Sequence, residues 1–145
     1  MSNSSYYLGL YNNAVARIST LTKEINTITP ILNNLKNQFA SRQSAVNSKL
    51  EDLQEDLEAS VRKDSAYTGN ISSLSADQKE KSTDADSKLS GALSALEQEL
   101  SSLKQQKSSA ESDKAAYQSR YNEEKQKEEE EARAYWDAYN RSHGL

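Results

Sequence analysis

The chain of 145 residues has no cysteine, one histidine, one proline and four glycines. The missing cysteines exclude a disulfide-stapled scaffold and fit either side of a membrane. With a lone histidine, His143, close to the last residue, clustered Cys/His ligands for zinc or iron–sulfur are missing. A Ser–His or Cys–His nucleophile lacks its positioned base for the same reason. Gly9, Gly69, Gly91 and Gly144 are too dispersed to form a phosphate-cradling loop. So few glycines and prolines cannot supply the turns of a sandwich, barrel or α/β sheet. Hydrophobic residues make up only 34%, and adding glycine leaves the chain below the roughly 45–50% of an ordinary globular domain. A compact sphere could not be filled, so the expected molecule is elongated or partly disordered. The apolar run Tyr6, Tyr7, Leu8, Gly9, Leu10, Tyr11 has no basic flank and is stopped by Asn12 and Asn13. It reads neither as a signal nor as a membrane span, which implies a soluble, cytoplasmic chain with no membrane insertion.

What is present is a heptad. Tyr11, Ile18, Ile25, Leu32, Phe39, Val46 and Leu53 lie seven apart, and Leu8, Val15, Leu21, Ile28, Leu35, Leu50 and Leu57 form a companion row. Together they draw one stripe along a helix. Pro30 removes a backbone donor and crowds the preceding turn at about 3 kcal/mol, so a kink is expected there. A chain reversal at Pro30 is the alternative; the unbroken phase from Ile25 to Leu32 favours the kink. The pattern fades after Leu57–Val61, and the segment 64–70 is the best turn candidate, with Gly69–Asn70 able to take positive φ. Ser75, Ala76, Asp77 and Gln78 form a capping-box pattern for a second helix, whose seam is Leu89, Leu93, Leu96, Leu100 and Leu103. That seam thins to Lys107, Ala110, Lys114, Tyr117 and Tyr121 before the charge run of residues 123–131.

The expected fold is all-α: an elongated, coiled-coil-like antiparallel hairpin in a single domain, 1–145. Its helix 1 spans about 5–64, kinked at Pro30, the turn about 65–72, helix 2 about 75–140, and a frayed tail 141–145. Folding about Gly69–Asn70 pairs residues whose numbers sum to about 139, which sets Leu50 against Leu89, Val46 against Leu93 and Phe39 against Leu100. The rod would be roughly 100 Å long. In that register Leu32 faces Lys107, Ile25 faces Lys114, Val15 faces Glu124 and Tyr11 faces Glu128. The N-terminal stripe, Leu8, Tyr11, Val15, Ile18, Ile25, Ile28 and Leu32, is therefore left short of apolar cover. Burying six of its side chains is worth on the order of 10 kcal/mol, so it is the expected partner-binding surface, for a second protein or for a second copy.

Charge adds little chemistry. Residues 1–50 carry Arg17, Lys23, Lys36, Arg42 and Lys49 against Glu24, within a net charge of −4, and show no basic cluster with stacking aromatics, so no nucleic-acid partner is expected. Consecutive glutamates at 128–131 point around a helix and read as a solubilising face. Glu51, Asp52, Glu55, Asp56 and Glu58 lack a cleft or an opposing base and read as surface charge. No catalytic residue, cofactor or metal is expected. Two aromatic features stand out: Tyr67 with Gly69 at the turn, and Tyr135, Trp136 and Tyr139 in the tail. Each can be an end plug, the tail closing over Tyr6 and Tyr7.

A helical hairpin whose turn reads Tyr67-Thr68-Gly69 and whose tail is aromatic resembles the WXG-type proteins of Gram-positive type VII secretion. The Tyr6-Tyr7 start and the Ser/Lys/Glu-rich second helix are similar to a subgroup, the small helical partner proteins of LXG toxins. Tyr67 stands where the family carries tryptophan, and Tyr139 follows Tyr135 where the family's export signal has an acid. The resemblance implies a non-enzymatic adaptor that pairs with the helical N-terminal domain of an LXG toxin, with room for a second small helical protein, and supports its export. Under that reading Tyr135, Trp136 and Tyr139 are an export or docking tail, and the chain is cytoplasmic with export alongside the toxin open. The alternative is a homo-oligomeric coiled-coil spacer or scaffold, for which a homodimer suffices.

Overall fold

The computed structural model describes residues 2–61 and 68–144, without the side chains of residues 57, 60, 61, 68–72, 74 and 75. Two helices account for nearly all of it: α1, Asn3–Val61, and α2, Thr68–Ser142. They pack against each other as an antiparallel hairpin, and no strand occurs among the described residues. Most of the expected turn, 65–72, lies outside the described residues, Tyr67 included. The part that is described corrects it: Gly69 and Asn70 belong to the first turn of α2, which starts at Thr68 rather than near residue 75. Glycine is tolerated at a helix start, so Gly-Asn was a poor marker of the reversal. At the other end α2 runs on to Ser142, and the chain leaves it through Gly144 at φ 68°, with His143 N–H donating to the Tyr139 carbonyl at 3.1 Å.

α1 continues through Pro30 as one helix, so the chain does not reverse there. The hairpin divides into two compact units, Met1–Asn26 with Ser101–Leu145, and Thr27–Leu100, the division in α1 falling one turn before Pro30. In the first unit the buried residues are Ser4, Ala14, Leu21, Leu103 and Ala110. Tyr7, Tyr11, Ile18, Ile25, Lys107, Lys114, Tyr117 and Tyr121 are half-buried beside them. Small alanines at inner positions allow close helix approach, and Ala110 retains 1% exposure. The second unit buries Leu32 and Leu100, with Ile28, Phe39, Leu93 and Leu96 half-buried.

The register differs from the sequence expectation by about three helical turns. In the first unit Asn3 meets Glu124, Ser4 meets Glu128 and Lys114 lies over the Tyr11 ring at 5.8 Å. In the second Lys36 pairs with Glu97, and Gln43 Nε2 donates to Asp86 Oδ2 at 3.3 Å. Facing numbers thus sum to between 125, for Tyr11 with Lys114, and 133, for Lys36 with Glu97, instead of 139. The leucines from Leu93 to Leu103 consequently lie across from the stretch Ile25 to Leu35 rather than Leu35 to Val46.

Candidate interaction site

This shift redistributes the expected partner surface. Leu32 retains 3% exposure, and Tyr11, Ile18, Ile25 and Ile28 are half-buried on the inner face. Leu32 belongs to the hairpin's own core and the other four are partly covered, so less of the stripe is open than its polar facing arm suggested. Only Leu8 and Val15 stay exposed, at 39% and 40%. In this unit the inner companion row is Tyr7, Ala14 and Leu21, one residue round the helix from Leu8 and Val15. Polar α2 can still cover apolar α1 here because lysine stems are hydrocarbon. Lys107 is half-buried and ion-pairs with Glu111 at 3.7 Å, and Lys114 uses its ammonium on the Tyr11 ring, a contact of about 0.5–1 kcal/mol.

The uncovered apolar surface lies in the second unit instead. Leu35, Phe39 and Val46 of α1 and Leu89, Leu93 and Leu96 of α2 line an open groove of about 350 Å³. Leu35 and Val46 are both 41% exposed, and Leu89 54%. The cause is sequence: the α2 residues across from Val46 are small or polar, among them Ser82, Ala85 and Asp86, and cannot fill the space between the backbones. Gln43 and Asp86, hydrogen-bonded to each other, mark one rim. Leu53, 44% exposed, adds to the same open side of α1's heptad. The signal was legible in principle, since residues 76–88 contain no large apolar side chain, but using it required the register.

At the first unit's end a cap has formed that sequence reasoning missed. α1 has no acidic residue in its first turn. Ser2 Oγ accepts from Ser5 N–H at 3.3 Å, as an N-cap does. The Ser4 N–H donates to Glu128 Oε1 at 3.1 Å, and Ser4 Oγ–H to Glu128 Oε2 at 2.6 Å. Asn3 Nδ2 donates to Glu124 Oε2 at 3.1 Å, and Lys127 Nζ holds Glu124 Oε1 at 2.7 Å. α2 thus supplies the negative charge that the α1 dipole lacks locally. The Ser4 hydroxyl and backbone bonds hold the Glu128 carboxyl below its ordinary range. Bonds from Lys127, then Asn3, do the same for Glu124, which in turn raises the Lys127 ammonium. Glu128 is therefore an inward-facing cap, not part of a uniformly solvated acidic face.

The aromatic tail does not plug this end. Tyr135 and Trp136 are 65% and 59% exposed. They touch each other at 5.8 Å between ring centroids, and Trp136 touches Tyr139 at 5.7 Å, while Tyr6 contacts Tyr7 at 5.4 Å. Among the described residues no group of three or more His, Asp or Glu could hold a metal ion, and no helix is long and apolar enough to cross a membrane. Comparison with protein families, curated proteins and solved structures found no match.

Proposed function

We propose that the chain is a non-enzymatic helical adaptor whose open groove in Thr27–Leu100 receives an amphipathic helix of a partner protein. The observation that carries this reading is the groove itself. Leu35, Val46 and Leu89 expose some two-fifths to a half of their surface along one seam, and a helix laid there, with apolar residues three and four apart, would complete a three-helix layer. The sequence resemblance names the partner class: the helical N-terminal domain of a type VII-secreted LXG toxin, which the adaptor would keep soluble and export-competent. With Leu32 buried and Tyr11, Ile18, Ile25 and Ile28 half-buried, the groove offers a more open apolar surface than the N-terminal stripe, and the reading places the contact there.

Co-expression with the products of adjacent reading frames, followed by affinity capture through a tag on this chain, tests the reading. A stoichiometric helical partner is expected, lost when Val46→Asp and Leu89→Asp place charges against its apolar face, while the variant's own helical circular dichroism persists. No partner from any adjacent frame, together with a stable, well-behaved chain alone, would refute the adaptor and leave the homo-oligomeric scaffold. Capture that survives both aspartates would refute the groove as its site.

A further inference from the structure

The open face of Thr27–Leu100 continues along α1 past both ends of the groove. Ile31, 53% exposed, stands one turn before Leu35, and Leu53, 44% exposed, two turns after Val46. These four fall within about 60° of helix surface, a strip about 33 Å long that a helix of about 22 residues would span. Two cations sit inside that strip. Arg42 lines the groove between Leu35 and Val46, and Lys49 lies seven residues on, between Val46 and Leu53. Both side chains are exposed, and among the described residues neither forms an ion pair. The α2 acids level with Arg42 are already engaged: Asp86 accepts from Gln43 at 3.3 Å, and Asp84 pairs with Lys88 at 3.2 Å. Lys81, on the same side of α2 as the groove residues Ala85 and Ala92, adds a third positive charge. Acids flank this stretch at its ends, Glu99 beyond Leu96, and Asp52 and Asp56 beyond Lys49.

Given a groove that receives a helix, as proposed above, we infer that the partner's helix carries two carboxylates seven residues apart beside its apolar stripe, one for Arg42 and one for Lys49. A wholly apolar helix laid along the strip would take water from the guanidinium and the ammonium and return nothing. A carboxylate at each position replaces that water, and Arg42 can hold one through two parallel N–H donors. The spacing follows from helix packing. On neighbours crossing at about 20°, positions advance nearly together, so cations seven apart meet acids seven apart in either chain direction. Leu35, Leu89 and Leu96 contribute apolar area to any amphipathic helix, whereas the two charge pairs select among such helices and exclude those with lysine or arginine at the same places. The flexible stem of Lys49 lets its ammonium keep to water at the edge, so Arg42, which lines the groove, is the stricter selector of the two.

Three synthetic helices of about 22 residues supply the probes, with one leucine stripe throughout and two Glu, two Gln or two Lys seven residues apart at its edge. Fluorescence anisotropy of the labelled peptides against the intact chain, at about 50 mM salt, reads the affinities. The Glu peptide is expected to bind about tenfold tighter than the Gln peptide, and the Lys peptide weakest, with the spread closing as salt rises to about 0.5 M. Arg42→Glu with Lys49→Glu should invert the order, and Val46→Asp with Leu89→Asp should remove all binding, each variant keeping its helical circular dichroism. Three equal affinities overturn the charge selection and leave the groove as a helix site. An order unchanged by Arg42→Glu with Lys49→Glu overturns the assignment to these two cations. Binding of no peptide, or binding that survives Val46→Asp with Leu89→Asp, overturns the proposal together with the groove on which it rests.

Discussion

Leu32 and Leu35 stand one turn apart on α1 in the same unit, and the register gives them opposite fates: 3% exposure for the first, 41% for the second. Leu→Ala at both sites makes the same chemical change with the same small gain in helix propensity, so the difference between the variants isolates burial. Buried Leu→Ala typically costs about 2–5 kcal/mol. The hairpin is a single layer open to water, so a void can partly relax, and about 2–3 kcal/mol is expected for Leu32→Ala. Leu35→Ala removes a side chain that is already two-fifths solvated, worth about 1 kcal/mol. Urea titrations followed by circular dichroism at 222 nm would compare the midpoints of the two variants at unchanged slope. Leu32→Ala should show the clearly lower midpoint. Equal midpoints would refute the observed face and register, and a greater loss at Leu35 would favour the register that sums to 139, in which Leu32 faces Lys107.

The cap at Ser4 predicts a pH effect. Glu124 and Glu128 are depressed in the folded chain, so the stability they contribute is present above the ordinary glutamate value of about 4.3 and is lost as pH falls through their folded values. Thermal unfolding should show Glu128→Gln below the parent protein at pH 7 and converging with it near about pH 3; a gap that widens in acid would contradict the cap. Lys127 is raised, so its contribution is present at neutral pH and lost only as pH rises through its folded value above about 10.4; Lys127→Met should lower the melting temperature at pH 7 without altering the acid transition of Glu128. Pro30 sits inside α1, where proline costs about 3 kcal/mol. Pro30→Ala should raise the urea midpoint, and a lowered one would mean that packing requires a bend there. A Cβ at Gly91 would meet nothing within 4 Å, so Gly91→Ala should stabilise α2 by about 0.5–1 kcal/mol, checked by the same titration; destabilisation would mean a close neighbour on that face.

Periodicity carried the helices. Seven-residue spacing from Tyr11 to Leu53 and the shortage of glycine and proline decide fold class by themselves, because they fix which side of a helix is apolar and how rarely the chain can turn. The inner positions Leu93, Leu96, Leu100, Leu103, Lys107, Ala110, Lys114, Tyr117 and Tyr121 of α2 were legible in the same way. Periodicity is silent, however, about how far one helix slides along the other, since the apolar stripe runs the length of each helix. The choice among slides falls to contacts between residues far apart in sequence: Ser4 on Glu128, Tyr11 under Lys114, Lys36 with Glu97. Those contacts put Leu32 in the core, opened the groove at Val46 and Leu89, and left Tyr135 and Trp136 beyond the end of α1. Local sequence determined what each helix is; only the tertiary register decided which apolar residues remain for a partner, because burial belongs to the pair of surfaces that meet.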